Sequence, residues 1–159
     1  MRIRIALSAA LMAGALVAMA EARPRVETIR YATSGCFGTC PVYAVTVSAD
    51  GRGTFEGQRF TAVTGERRFR VTPAQWRAFR GRLEPLRGRV DAEGQETCQP
   101  VVIDMPGATV RWSGGFPTAK IAVNYGCDRH HYGWMFDRLR SAPGTLPIAA
   151  FIGDGRRPR

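Results

Sequence analysis

The stretch VYAVTVSADGRGTFEGQRF, residues 42–60, decides how the rest of the chain is read. Its first seven residues alternate, with Tyr43, Val45 and Val47 on one side and Ala44, Thr46 and Ser48 on the other. That period of two is what a half-buried strand requires. Asp50-Gly51 follows, a pair that reverses the chain tightly because both residues tolerate left-handed backbone. TFEGQRF then runs back as a second strand. Strands joined by so short a turn are antiparallel, which sets the character of the whole sheet.

Working outward, VETIRYA (26–32) reads as a strand before the pair, and RRFRV (67–71) as one after it. In the latter, Phe69 and Val71 point one way and Arg68 and Arg70 the other. The first half is therefore a meander of four strands. A helix follows, with Thr72 as N-cap, Pro73 in the first turn and Gln75 completing a capping box. Val71 and Trp76 are spaced as a hydrophobic staple. Trp76, Phe79, Leu83 and Leu86 form its apolar stripe, with Arg77, Arg80 and Arg87 away from it.

Residues 88–100 read as a loop. VVID, ATVRW and AKIAVNY, separated by MPG and SGG, read as three short strands. A second helix is expected from Arg129 to Arg140, with Asp128 as N-cap and Tyr132, Met135, Phe136 and Leu139 buried. LPIAAFI is expected to add a terminal strand, and residues 153–159 to form a disordered tail. The order strands, helix, strands, helix predicts an α+β domain: a mainly antiparallel sheet with two helices packed on one face.

The N-terminus, MRIRIALSAALMAGALVAMAEA, carries Arg2 and Arg4, a short apolar run, and small residues at Ala18, Ala20 and Ala22. This is the pattern of a signal peptide, residues 1–22, and the apolar run is too short for a spanning helix. The remainder, residues 23–152, is expected to be one exported domain, periplasmic or secreted, with no membrane span after cleavage. Four cysteines in such a compartment, Cys36, Cys40, Cys98 and Cys127, favour two disulfides. Three connectivities are open, and a local Cys36–Cys40 bridge with a distal second one is preferred.

Chemistry is sparse. No nucleophile elbow, phosphate loop, dinucleotide fingerprint or zinc-protease helix occurs, so a non-enzymatic role is favoured and no cofactor is expected. Cys127, Asp128, His130 and His131, with Cys36 and Cys40, are a partial match to a zinc shell, but disulfide formation would consume the thiolates. Cys36 and Cys40 could instead exchange disulfides. Their spacing is one residue longer than the usual redox pair, and a strand rather than a helix follows Pro41. The chain carries a net charge of +10, and Lys120 is its only lysine. Nine arginines fall between Arg59 and Arg89, a run that offers an alternative role as a binder of anionic envelope components. Export removes nucleic acid from the expected partners, leaving an envelope protein or an anionic polymer.

Around the starting stretch, Cys36, Phe37, Gly38, Cys40, Pro41, Tyr43, Asp50, Gly51, Phe55 and Gly57 follow a Cys-Phe-Gly-x-Cys-Pro-x-Tyr signature with a trailing strand, Asp-Gly and aromatic-x-Gly. In these residues the chain resembles a bacterial family of exported proteins, domain-of-unknown-function family 6438. Looser similarity continues through VVIDMPGATVRW and the segment from Tyr125 to Pro143. The resemblance brings no activity; it implies that the double-cysteine loop is the defining feature of an exported α+β domain. Phe37, Gly38, Thr39, Pro41 and Tyr43 are accordingly the candidate binding loop.

Overall fold

In the computed structural model, which describes residues 25–89, 102–115 and 117–154, the alternating stretch is strand β2 (Val42–Ser48). It is flanked by β1 (Thr28–Thr33) and β3 (Arg52–Arg59), and β4 (Gly65–Arg70) completes the meander. The β2–β3 turn closes at Gly51, whose φ of +84° is available to glycine at little cost. Two further strands, β5 (Gly107–Ser113) and β6 (Ala119–Asn124), form a hairpin that joins the sheet beside β1. The order is β4-β3-β2-β1-β5-β6, antiparallel throughout.

Helix α1 (Pro73–Arg87) starts as its sequence requires. The Gln75 amide donates to Thr72 Oγ1 at 3.2 Å, and the Thr72 amide donates to Gln75 Oε1 at 2.9 Å. Helix α2 (Arg129–Ser141) is capped by Asp128, whose carboxylate accepts from the His130 amide at 2.9 Å. Both helices lie on one face of the sheet, and the apolar sides of the strands fill the space beneath them. Trp76, Phe79, Leu83 and Leu86 of α1 and Met135, Phe136 and Leu139 of α2 are buried with Ile29, Val45, Phe55, Val110, Trp112 and Ile121 of the sheet. This is the expected α+β plan.

Three details differ from expectation. Val102–Asp104 is a bend, not a strand, so among the described residues the second half contributes two strands. Asp104 has φ +60°, in the left-handed region where a strand cannot continue, and Pro106 follows without an amide hydrogen to pair. LPIAAFI ends in a short helix, α3 (Ala149–Ile152), not a strand. Its residues seal the core instead of lengthening the sheet. Phe151 packs against Phe55 and Phe69, and the Phe151 and Ile152 carbonyls accept from the Val63 and Ala62 amides in the β3–β4 turn. Arg87, expected on the solvent side of α1, is largely buried, its side chain only 8% exposed and paired to Glu27 at 2.8 Å. The expected leader (residues 1–22), Cys98 with most of its loop, and residues 155–159 of the expected tail lie outside the described residues.

The face away from the helices is polar. Arg30 crosses it to Glu56, with Nη1 to Oε1 at 2.6 Å and Nη2 to Oε2 at 3.0 Å. This bidentate bond from Arg30 holds the Glu56 carboxyl below its ordinary range.

Candidate functional site

The β1–β2 connection is built from short-range constraints. Cys36 and Cys40 are joined by a disulfide, with their Cα atoms 5.8 Å apart. In the loop-entropy account so small a ring contributes only about 2 kcal/mol, so its effect is mainly to fix shape. Gly38, at φ +140°, lets the chain turn inside the ring. Below it, Thr33 Oγ1 donates to the Pro41 carbonyl at 2.8 Å and accepts from the Tyr43 amide at 3.0 Å, tying the two stems together. The Ser34 amide donates to the Gly107 carbonyl at 3.0 Å, and Ser34 Oγ accepts from the Gly107 amide at 2.7 Å. The Phe37 amide donates to the Asp104 carbonyl at 3.1 Å. The base of the loop is thus pinned on both sides, while the Phe37 side chain stands 92% exposed at its tip.

On the helix side of this loop lies a cleft of about 260 Å³. Tyr31, Tyr43, Tyr125 and Arg140 supply polar groups to it, as do Thr33 and Ser34, whose hydroxyls are already bonded to backbone, and Cys40 and Pro41 form the wall nearest the loop. The Tyr31 and Tyr43 rings are 6.3 Å apart, and Tyr43 stacks on Phe55 at 5.4 Å. The Arg140 guanidinium sits 4.4 Å from the centre of the Tyr125 ring, a cation–π arrangement that holds the charge at the mouth. Tyr125 Oη is buried and has no partner of hydrogen-bonding geometry. The Tyr31 hydroxyl lies close enough to influence its titration without meeting that geometry.

Burial is the main reason all three phenols titrate above their ordinary value. Burial raises Tyr31 well above it, with its tyrosine neighbours adding to the effect. Burial likewise lifts Tyr43, and lifts Tyr125 against the opposing pull of the Tyr31 hydroxyl and Arg140. The cleft therefore presents neutral phenolic O–H donors beside one fixed positive charge. Such a set suits an oxygen acceptor carrying negative charge, with apolar walls for the body of the ligand.

Of the candidate loop residues, Pro41 and Tyr43 line the cleft, while Phe37, Gly38 and Thr39 form the exposed ring above it. Tyr31 carries no pattern in the sequence that marks it, and the looser similarity around Tyr125 and Arg140 assigns them no role. They meet only because β1 pairs with β5 and α2 returns over the same end of the sheet.

The segment considered for metal is otherwise engaged. Cys36 and Cys40 are bridged, Cys127 is disulfide-bonded, and Asp128 caps α2. Among the described residues no group of three or more His, Cys, Asp or Glu side chains could hold a metal ion. The Gly107–Asn124 hairpin brings its two ends together, and the Val102 amide donates to the Gly126 carbonyl at 3.0 Å. Val102 and Gly126, the latter next to Cys127, therefore lie side by side.

The arginine run between Arg59 and Arg89 is divided by the fold. Arg68 and Arg70 face the open side of the sheet, opposite Thr54 and Arg52. Arg77 and Arg82 are exposed on α1, and Arg80 and Arg87 turn in to Glu27. No single face collects them.

Among the described residues, no helix is long and apolar enough to cross a membrane. No curated protein and no solved structure matches the chain. One family profile does match, that of Domain of unknown function (DUF6438), over residues 27–141. The match runs from the strand before the cysteine loop to the end of α2, well over half of the 159 residues, and the chain belongs to that family.

Proposed function

We propose that this protein is an exported binding module whose ligand site is the tyrosine–arginine cleft beside the Cys36–Cys40 loop. The observation that carries the reading is the buried Tyr125 hydroxyl, which has only the Tyr31 hydroxyl near it and lies next to the Arg140 guanidinium, so that one of the two phenolic O–H groups is left without an acceptor. A buried donor without an acceptor costs roughly 1–3 kcal/mol, a cost that a bound carboxylate removes. The cleft volume fits a small acid or the acidic end of a longer molecule. The bridged loop acts as the fixed wall of this site, and its role is shape rather than electron transfer.

The test uses small carboxylates, a series of N-acetylated amino acids, followed by NMR. Amide shifts are expected at Tyr31, Tyr43, Tyr125 and Arg140, with affinity falling about tenfold or more in Arg140→Gln or Tyr125→Phe, the scale of one hydrogen bond to a charged group. Because burial holds the phenols protonated past pH 10, where an ordinary tyrosine titrates, binding should persist there and fail only as they ionise. Shifts elsewhere in the fold, or none at millimolar acid, would rule the cleft out.

Export rests on the leader-like pattern at residues 1–22 and on the cysteine content. The intact mass of unreduced, secreted protein should match a chain beginning at residue 23 and lacking four hydrogens, one pair per disulfide. Retention of the leader, or four free thiols, would contradict that part of the proposal.

A further inference from the structure

The open face of the sheet carries a pattern that the cleft does not use. Strand registers place Lys120 opposite Arg111 and Arg111 opposite Arg30, three cations on adjacent strands. The same row continues through Thr46 and Thr54 to Arg68 and so crosses all six strands. Neighbouring strands lie about 4.8 Å apart, so the row is on the order of 24 Å long. Glu56 neutralises Arg30, but neither Arg111 nor Lys120 has an ion pair among the described residues. Like charges directly opposite one another destabilise a sheet. The free protein bears that cost, and a bound polyanion would relieve it. The chain's only lysine sits in this row.

The rest of the face narrows the occupant. Thr28, Ser48 and Ser113 form a neighbouring row of hydroxyls, and Thr28 and Ser48 bond to each other at 3.1 Å. Beside them a shallow hollow of about 560 Å³ is edged by Arg52, Arg68 and Arg70 together with Glu66; Arg68 pairs with Glu66 at 3.2 Å and Arg52 with Asp50 at 2.6 Å, which leaves Arg70 without an ion pair among the described residues. The strand aromatics Tyr31, Tyr43, Phe55, Phe69 and Trp112 all alternate to the helix-bearing side. Apart from Phe69, which reaches the lining of the hollow at the β4 edge, bases would find no ring to stack on, and a bilayer would find no apolar anchor. A flat surface of hydroxyls and spaced cations matches a chain of sugars carrying carboxylates or sulfates.

We infer that the open sheet face binds an acidic polysaccharide along the Lys120–Arg111–Arg30 row. The site is separate from the cleft, lies on the opposite side of the sheet, and does not depend on the carboxylate reading given above. The experiment measures binding of the full chain to a heparin oligosaccharide at 0.15 M NaCl. Two variants remove equal charge: Arg111→Gln with Lys120→Gln on the row, and Arg77→Gln with Arg82→Gln on α1. Affinity is expected to fall about tenfold or more in the row variant, some 1.4 kcal/mol, and less than about twofold in the helix variant. Amide shifts in the unmodified protein, which need no variant to fold, should map to β1, β5 and β6. Equal weakening in both variants would reduce the effect to net charge and overturn the inference. So would shifts confined to other elements, no binding at this salt, or equally tight binding of oligo-dT or phosphatidylglycerol vesicles with the same sensitivity to the row variant.

Discussion

Phe55→Ala is expected to lower the unfolding free energy by about 3–5 kcal/mol, read as a fall in denaturant midpoint at unchanged slope. The ring is fully buried on β3, one strand in from the β4 edge of the sheet. It stacks on Tyr43 at 5.4 Å on one side and meets Phe151 of α3 at 5.5 Å on the other. Removing it therefore leaves a cavity between two elements that are held by different parts of the chain. Partial collapse is blocked because Tyr43 is fixed by the Thr33 bridge and Phe151 by its carbonyl bond to Val63. A domain with an ordinary margin of about 5–15 kcal/mol would lose a large share of it. A loss below about 1 kcal/mol would mean that α3 does not close over the sheet as described.

Glu27→Gln is expected to have the second large effect, lowering the unfolding free energy at pH 7 by about 2 kcal/mol. Glu27 Oε1 accepts from Arg87 Nη1 at 2.8 Å, and Glu27 Oε2 accepts from Arg80 Nε at 3.0 Å. Arg87 also donates to the Pro117 carbonyl, so its guanidinium ties the start of the sheet, the end of α1 and the β5–β6 turn together. The Arg87 side chain is only 8% exposed, so losing the carboxylate leaves a positive charge short of compensation, with Glu84 as the remaining anion at 3.5 Å. Complete burial of an orphaned charge costs about 3–5 kcal/mol, and Glu27 is 21% exposed, which sets the smaller figure. Adding Arg87→Met to Glu27→Gln should recover part of the loss, because it removes the stranded charge. If the double variant is no more stable than the single one, the charge was not the source of the cost.

How far the sequence carried the reading depends on the range of each signal. Val42–Ser48 and the capping box at Thr72 are local patterns, and the elements they mark are present as expected. VVID has the composition of a strand, but the left-handed Asp104 and the carbonyl bond to Phe37 belong to a tertiary contact that composition cannot express. LPIAAFI is similar: its apolar residues are needed to cap the core beside Phe55, and a single helical turn delivers them better than an edge strand. Arg87 looked like a surface residue because Glu27, sixty positions away, gives no hint in a helical pattern. The cleft was half legible. Pro41 and Tyr43 lie in the cysteine motif, whereas Tyr31, Tyr125 and Arg140 depend on strand order and on the return of α2.

That strand order also governs when the protein can fold. The first strand has β5 as one of its two neighbours, and the β3–β4 turn is held by carbonyls of Phe151 and Ile152. The sheet cannot be completed around its oldest segment until the youngest part of the domain has been synthesised. Closing such distant pairs carries a large entropic barrier, so folding should be slow compared with that of a domain built on local contacts. The polypeptide therefore stays open while it is being made, and it locks into shape only after the last residues of α3 have arrived.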